Sequence, residues 1–510
     1  MDEYHHLGGL LEQRAAAGGD TIYLYWQDEE VSYAAFDRRV NQVASGLRGL
    51  GVDPGQKVAL LLRNCPEFLY TFFACAKLGA VTVPVNPQLK GDEIHYILDN
   101  SESIALIAGP EFAPMIEDLA PSCAQLRAVC YTGADAPAGR PMFAGFWEQP
   151  DTPPAEQIAP DAIVRIIYTS GTTGRPKGVL LSHGNYLHNT WSCVTAGQMS
   201  AADRMVCILP LFHVNAQVVS MLSALYAGAA LILLEGFSPR EFLPALARYR
   251  ATMFSAVPTI YAILNGLPNA SQYALSALRA CICGAAPMPV EVFTAFEQTY
   301  KAFVLEGYGM SEGTCASTLN PLDGRARKVG SIGVPMPGQE VRIVDDSGHK
   351  LPYGQIGEIV IRGPNVMQGY YRDPVATAAT LRDGWLHTGD LGVCDADGYL
   401  SIVGRKKEMI IRGGENIYPK EVEEVLYRHS AIQEAAVVGL PDPDWGEEVV
   451  ACLVLRAGQV LGATDVIAYC HQHLADYKCP RVVRFLSELP KTATGKIQKG
   501  KLAAAAVDQR

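Results

Sequence analysis

Short apolar runs recur through roughly the first four hundred positions, each followed by a stretch with a helical spacing of apolar residues. Val58-Ala-Leu-Leu-Leu62 reads as a strand buried on both faces, and Glu67 to Leu78 as the helix that follows it. Val81-Thr-Val-Pro-Val85, Ile104-Ala-Leu-Ile-Ala108 and Leu231-Ile-Leu-Leu234 repeat the strand pattern. Parallel strands are covered on both faces by their crossover helices, so they lose the apolar–polar alternation of a half-exposed strand. The pattern therefore predicts an α/β architecture with mixed, largely parallel sheets flanked by helices. No fixed-period repeat is present.

The texture changes after about residue 404. Arg405-Lys-Lys-Glu408 is a charged cluster, followed by Met409-Ile-Ile411 and a Gly413-Gly414 break. A helix is expected over Pro419 to Tyr427, strands over Ala435 to Gly439 and Val449 to Leu455, and a further helix near Asp465 to Leu474. That makes a small α+β domain of about a hundred residues, within the usual domain range. The expected division is 1–404 and 405–510.

A length of 510 residues also calls for more than one core, and 49% hydrophobic with 19% charged residues is an ordinary globular balance. A net charge of −11 argues against a general nucleic-acid-binding surface while leaving room for local phosphate pockets. Cys281-x-Cys283 lacks the companion ligands of a zinc site and fits strand alternation. The chain opens on the polar, acidic Met1-Asp-Glu-Tyr-His-His6, which is no signal sequence, and ends on Val507-Asp-Gln-Arg510, which is no peroxisomal signal. The apolar run from Leu222 to Leu234 is too short to cross a membrane. A cytoplasmic location without a transmembrane segment is the expectation.

The most informative stretch is Ile166-Ile-Tyr-Thr-Ser-Gly-Thr-Thr-Gly-Arg-Pro-Lys-Gly-Val179. An apolar strand runs into a loop with the hydroxyls of Thr169, Ser170, Thr172 and Thr173, glycines at Gly171 and Gly174, and Lys177. Glycines let backbone N–H groups converge on an anion, hydroxyls add donors and lysine adds charge, which suits a polyphosphate. The loop is not a Walker A motif, because Lys177 follows Pro176 and precedes Gly178. A polar surface turn is the plainer alternative.

Further segments follow in a fixed order: Leu209-Pro-Leu-Phe-His213, Gly284-Ala-Ala-Pro287, Gly307-Tyr-Gly-Met-Ser-Glu312, Trp385-Leu-His-Thr-Gly-Asp390, Val403-Gly-Arg405 and Pro490-Lys-Thr-Ala-Thr-Gly-Lys496. With the phosphate loop, this series resembles the motifs of the adenylate-forming superfamily: acyl-CoA synthetases, peptide-synthetase adenylation domains and beetle luciferases. The resemblance spans nearly the whole chain. It implies that a carboxylic acid and ATP give an acyl-adenylate and pyrophosphate, after which a thiol displaces AMP.

The roles that follow are what the resemblance implies. Thr169, Ser170, Gly171, Thr172, Thr173, Gly174 and Lys177 would hold the ATP phosphates. Gly284, Ala285 and Ala286 would line the adenine edge, with Glu306, Gly307, Tyr308, Gly309, Met310 and Ser311 completing the nucleotide side. Tyr308 would stack on adenine, and Ser311 stands where most relatives have Thr. Glu312 would coordinate Mg2+, a hard ion suited to a carboxylate beside phosphates. Asp390, Ile402 and Arg405 would hold the ribose. His213 would lie between the acyl pocket and the α-phosphate. Lys496 would be the catalytic cation that brings carboxylate and α-phosphate together.

A small, mobile C-terminal domain is likewise implied, turning about a hinge at Lys407 between the two half-reactions. Arg412-Gly-Gly-Glu-Asn-Ile-Tyr-Pro419 resembles the CoA-ligase form of the thiol channel, with Gly413, Gly414 and Glu415 beside pantetheine. The chain also ends soon after Lys496, leaving no room for a carrier domain. An acid:CoA ligase is thus the main reading. A free-standing adenylation enzyme acting on a carrier protein or an amine is the alternative, and a homodimer is compatible with either. Gly309-Met-Ser-Glu-Gly313 also matches a hydrolase nucleophile elbow, but Thr314 to Gly324 contains Asn320-Pro321 and is a poor helix. Acyl-pocket positions carried over are Val214, Asn215, Gln217, Val257, Pro258, Cys283 and Thr314. They include no lysine or arginine, so a small-to-medium monocarboxylic acid is expected.

Overall fold

The computed structural model describes residues 4–133, 135–169, 175–268, 270–286, 288–491 and 497–507. Two large sheets dominate. In the first, strands Lys57–Leu61, Val81–Pro84, Ser103–Ala108, Ala128–Tyr131 and Ile163–Thr169 run parallel. Lys177–Ser182 and Gly369–Tyr370 close it antiparallel on one edge. In the second, six parallel strands include Ile22–Trp26, Arg204–Cys207, Ala230–Leu233, Met253–Ala256, Ala280–Cys283 and Phe303–Tyr308. Short antiparallel strands at Glu29–Ser32, Thr318–Leu319 and Val334–Pro335 finish its edges.

Helix Pro66–Leu78 starts one residue earlier than its pattern suggested, on Pro66, whose missing N–H costs nothing in a first turn. Apart from Glu67 every one of its residues is buried, as expected for a helix apolar on all sides. Its neighbour in the core is Arg165, a fully buried guanidinium on the strand Ile163–Thr169. Arg165 lies 3.2 Å from the centre of the Phe72 ring and donates to the carbonyls of Val164 at 2.7 Å and Phe72 at 3.2 Å. Burial pushes its pKa down to about 9.

Helix His183–Ala196 begins with a reciprocal cap in which Ser182 Oγ accepts from Asn185 N–H at 3.2 Å and Asn185 Oδ1 accepts from Ser182 N–H at 2.9 Å. The same Asn185 donates through Nδ2 to the carbonyls of Pro364 and Val366, at 2.7 and 2.9 Å. One residue thus starts a helix and pins a segment 180 positions away, just before strand Gly369–Tyr370.

A third sheet, antiparallel throughout, contains Glu340–Val344, Ile356–Arg362, Leu381–Arg382, Trp385–Cys394 and Leu400–Arg405. The expected alternation of strand and helix does not extend to this part of the chain. Its inner face, with Ile343, Ile359, Ile361, Leu386 and Leu400, forms one apolar cluster with Tyr308 from the second large sheet.

The last sheet comprises Ile410–Arg412, Glu415–Ile417, Ile432–Asp442, Gly446–Leu455 and Val482–Phe485. Helices Pro419–Tyr427 and Ala463–His473 cover it and share its own apolar core around Ile417, Val422, Val437 and Leu453. Both helices lie where the sequence pattern placed them, to within two residues. No helix among the described residues is long and apolar enough to cross a membrane.

Candidate active site

In open α/β sheets ligands bind beyond the carboxyl ends of the parallel strands. The second large sheet brings Cys207, Ala256, Cys283 and Tyr308 to that edge, with Ala256 opposite Cys283 and Cys283 opposite Glu306. The loop Leu209 to His213 leaves the strand Arg204–Cys207 there. Asn64 clamps it by donating to the Leu209 and Leu234 carbonyls at 3.0 and 3.1 Å and accepting from Leu211 N–H at 2.8 Å.

Motif residues from two different sheets come together here. Tyr308 donates its hydroxyl to Asp390 Oδ2 at 2.6 Å, and Arg405 Nε lies 2.9 Å from Asp390 Oδ1. Asp390 and Arg405 are direct partners across neighbouring strands of the third sheet. Asp390 is nearly buried, so its two charge-assisted contacts hold the carboxylate in one orientation. Burial and the Asp390 charge push the Tyr308 phenol well above its usual range, leaving it a proton donor. Asp390→Ala would strand both partners, and ATP should then bind about ten- to a hundredfold more weakly. Calorimetric titration with ATP reads that loss directly.

Gly309 shows why the segment after Tyr308 needs a glycine, since a Cβ there would stand 1.6 Å from the Cys315 carbonyl oxygen. Met310 leads into a single tight turn, Ser311–Gly313, followed by the extended Thr318–Leu319. No helix follows Ser311, so the arrangement lacks the strand–turn–helix context of a nucleophile elbow. Gly284 faces the Gly307 carbonyl, 3.5 Å from where a Cβ would be, and Ala285 takes a positive φ of 69° beside exposed Ala286. Glu306 is buried, which raises its pKa, and it accepts from Gly330 N–H at 3.0 Å.

At the other large sheet, Thr169 ends its strand opposite Lys177. Residues 170–174, with the predicted Ser170, Gly171, Thr172, Thr173 and Gly174, lie outside the described residues, as does Lys496. Glu312 is nearly buried, and its Oε1 accepts from the Tyr370 hydroxyl at 2.8 Å. The Tyr370 ring centre lies 5.3 Å from Lys177 Nζ. Tyr370 belongs to none of the motifs recognised in the sequence.

His213 is one of several histidines with a buried, unpartnered ring nitrogen. Its Nε2 is buried and finds no partner among the described residues, a costly state unless a ligand supplies one. Burial pulls its pKa down to about 4, so the ring is neutral near pH 7. The unfolded chain takes up a proton on this side chain as the pH falls through 6.5, whereas the fold resists until about 4. The associated stability is complete above 6.5 and is lost towards 4. His213→Asn should flatten that part of a plot of melting temperature against pH.

The carried-over acyl positions divide into two groups. Asn215 accepts from Ser255 Oγ at 3.0 Å, next to a π-helical stretch, Ala216–Leu222, of the kind often found at ligand sites. Val214 is buried nearby. Gln217 is spent internally, accepting from Tyr186 at 2.6 Å and donating to the Leu211 carbonyl at 2.8 Å. Thr314, buried with φ of 66°, donates to the Asn365 carbonyl. Val257 and Cys283 instead belong to the outer apolar cluster with Ile260, Met288 and Phe293, while Pro258 opens the helix Pro258–Asn265.

In the last part of the chain, Lys407 is exposed on the turn Lys406–Glu408, and partial desolvation there lowers its pKa. Ile402 accepts from Lys420 Nζ through its carbonyl at 2.7 Å, tying helix Pro419–Tyr427 to strand Leu400–Arg405. Gly413 and Gly414 turn at φ of 59° and 86°, which only glycine adopts readily, ahead of the exposed Glu415. Arg412 is buried beneath them, paired with Glu448 at 2.9 Å and 4.6 Å from the Trp445 ring centre.

Residues 11–371 match the AMP-binding enzyme family, and residues 421–496 match the AMP-binding enzyme C-terminal domain. The chain belongs to the AMP-binding enzymes. Feruloyl-CoA synthase of Amycolatopsis sp is 41% identical over 475 residues, covering 92% of this chain and 93% of that protein. Indoleacetate–CoA ligase of Aromatoleum aromaticum is 39% identical, covering 97% and 96%. The solved structure of the anthranilate CoA ligase AuaEII in complex with anthranoyl-AMP superposes with a TM-score of 0.93 at 32% identity, over 100% and 98%. ATP-bound MatB from Rhodopseudomonas palustris gives 0.91 at 31%, over 98% and 99%. As an AMP-binding enzyme of this kind, the chain is an AMP-forming acid–thiol ligase that uses ATP and CoA.

Proposed function

We propose that this ligase activates a small-to-medium, uncharged-tailed monocarboxylic acid, forming its acyl-adenylate and then its CoA thioester. The observation that supports this acid class is the acyl side itself. Asn215, braced by Ser255 and next in sequence to Val214 and the neutral His213, offers amide and apolar surface. The carried-over acyl positions include no lysine or arginine for a second carboxylate. A panel of acids assayed for AMP release with free CoA tests the reading. Preference for a dicarboxylate or a sulfonate would overturn it.

In the first step His213 Nε2 faces the reacting region as a neutral group, and Lys496 draws the acid's carboxylate and the α-phosphate together. That is positional and electrostatic catalysis, with no proton changing hands. The carboxylate oxygen forms its bond to the α-phosphorus as the bond to pyrophosphate breaks. Tyr308, Asp390 and Arg405 hold adenine and ribose, with Gly284, Ala285 and Ala286 along the base.

Glu312 fits a magnesium ion: it is a nearly buried carboxylate with one oxygen held by Tyr370 and, among the described residues, no donor on Oε2. Bound there with ATP, Mg2+ would offset phosphate charge.

In the second step the part of the chain beyond residue 404 turns about Lys407. The turn would bring Gly413, Gly414 and Glu415 alongside the pantetheine arm. The CoA thiol gives up its proton to solvent as its sulfur bonds to the acyl carbon and the acyl–AMP bond breaks, releasing AMP.

A further inference from the structure

Opposite charges a few ångströms apart usually collapse into an ion pair, and a lysine and a carboxylate that neutralise each other are poor hosts for a charged ligand. Among the described residues neither Lys177 nor Glu312 makes an ion pair, and both contact Tyr370. Its hydroxyl donates to Glu312 Oε1 at 2.8 Å, while its ring attracts the Lys177 ammonium from 5.3 Å. A ring face draws a cation without cancelling its charge. A neutral phenol likewise orients a carboxylate and leaves its charge in place.

The backbone makes this arrangement rigid. Gly369–Tyr370 pairs antiparallel with the strand that carries Lys177, Tyr370 opposite Val179 and Gly369 opposite Leu180. Tyr370 N–H donates to Thr377 Oγ1 at 2.9 Å, and Met367 N–H donates to the Glu312 carbonyl at 2.8 Å. The phenol is therefore fixed from both the lysine side and the glutamate side.

We propose that Tyr370 is a positioning residue that holds the Glu312 carboxylate and the Lys177 ammonium apart and aimed, so that both remain available to a divalent cation and its bound triphosphate. This rests on the reading of Glu312 as the metal carboxylate.

The test compares Tyr370→Phe, Tyr370→Leu and Glu312→Gln by calorimetric titration with ATP, in Mg2+ and in EDTA. The magnesium concentration for half-maximal ATP–pyrophosphate exchange and the melting temperature are measured alongside. Tyr370→Phe keeps the ring and loses the hydroxyl. It should raise the magnesium requirement about three- to tenfold, the weight of one net hydrogen bond. ATP affinity in EDTA and the KM values for acid and CoA should stay within about twofold of the parent, a change too small to weigh against one lost hydrogen bond. Tyr370→Leu, which also removes the ring, should additionally weaken ATP in EDTA through Lys177. An unchanged magnesium requirement in Tyr370→Phe, with a raised one in Glu312→Gln, overturns the role of Tyr370 alone. If Glu312→Gln itself leaves the magnesium requirement unchanged, the metal reading falls and the proposal with it. A fall in melting temperature with equal loss towards ATP, acid and CoA would also overturn it, marking Tyr370 as merely structural.

Discussion

Lys496→Ala should slow acyl-adenylate formation by about two to three orders of magnitude, the usual weight of one preorganised charge at a reacting phosphate. Thioester formation from supplied acyl-adenylate should change by less than about threefold, since a group needed only in one transition state leaves the other barrier unaltered. The asymmetry comes from the chemistry. Joining a carboxylate to an α-phosphate brings two anions together and needs a cation between them, whereas attack of CoA sulfur on a mixed anhydride expels AMP and needs no such bridge. Single-turnover measurement of each half-reaction separates the two. Equal loss in both would remove Lys496 from its assigned role.

The opposite asymmetry is expected of Lys407→Pro. Proline fixes its own φ and forces the preceding residue towards extended backbone. Here that residue is Lys406, which lies within the tight turn Lys406–Glu408 closed by Met409 N–H to the Arg405 carbonyl at 3.0 Å. A proline therefore resists backbone rotation at the point where the chain passes from strand Leu400–Arg405 to strand Ile410–Arg412. Adenylation should survive within about threefold while thioester formation falls by about a hundredfold, as when the reacting groups are misplaced by an ångström or more. Half-reaction rates with acyl-adenylate supplied again give the answer. Loss confined to adenylation would contradict a hinge at Lys407.

The part of this site that is legible in the sequence is the part carried by contiguous motifs. Tyr308, Asp390 and Arg405 each sit in a short signature, and their convergence follows once the signatures are placed on one fold. Tyr370 was not legible, because its meaning depends on strand pairing: its register with Val179 places it on the strand edge beside the Lys177 strand, where it contacts both Lys177 and Glu312. Asn64 was missed for a similar reason, as a buried amide that serves carbonyls at 209 and 234 leaves no local pattern. In the fold, buried parallel strands announced themselves by unbroken apolar runs. The third sheet did not, because strands such as Glu340–Val344 and Ile356–Arg362 interleave charged residues on an exposed face. The division of the acyl positions was also beyond reach. Ser255 and Ala256 are adjacent on one strand yet point to opposite faces, so a motif position alone does not say which side chain meets the acid.

The contact between Tyr308 and Asp390 joins two sheets. Tyr308 comes from the second large sheet, Asp390 and Arg405 from the third, and one small apolar cluster lies behind them. A nucleotide lodged there acts as mortar in a seam. By mass action, a ligand that binds only the assembled site adds to the cohesion of the sheets, and saturation at a hundred times Kd adds about 2.7 kcal/mol. Without it, local opening along Trp385–Arg405 becomes the cheaper fluctuation. Amide exchange in those strands should therefore slow when ATP or AMP is bound, while the buried helix Pro66–Leu78 keeps its protection either way.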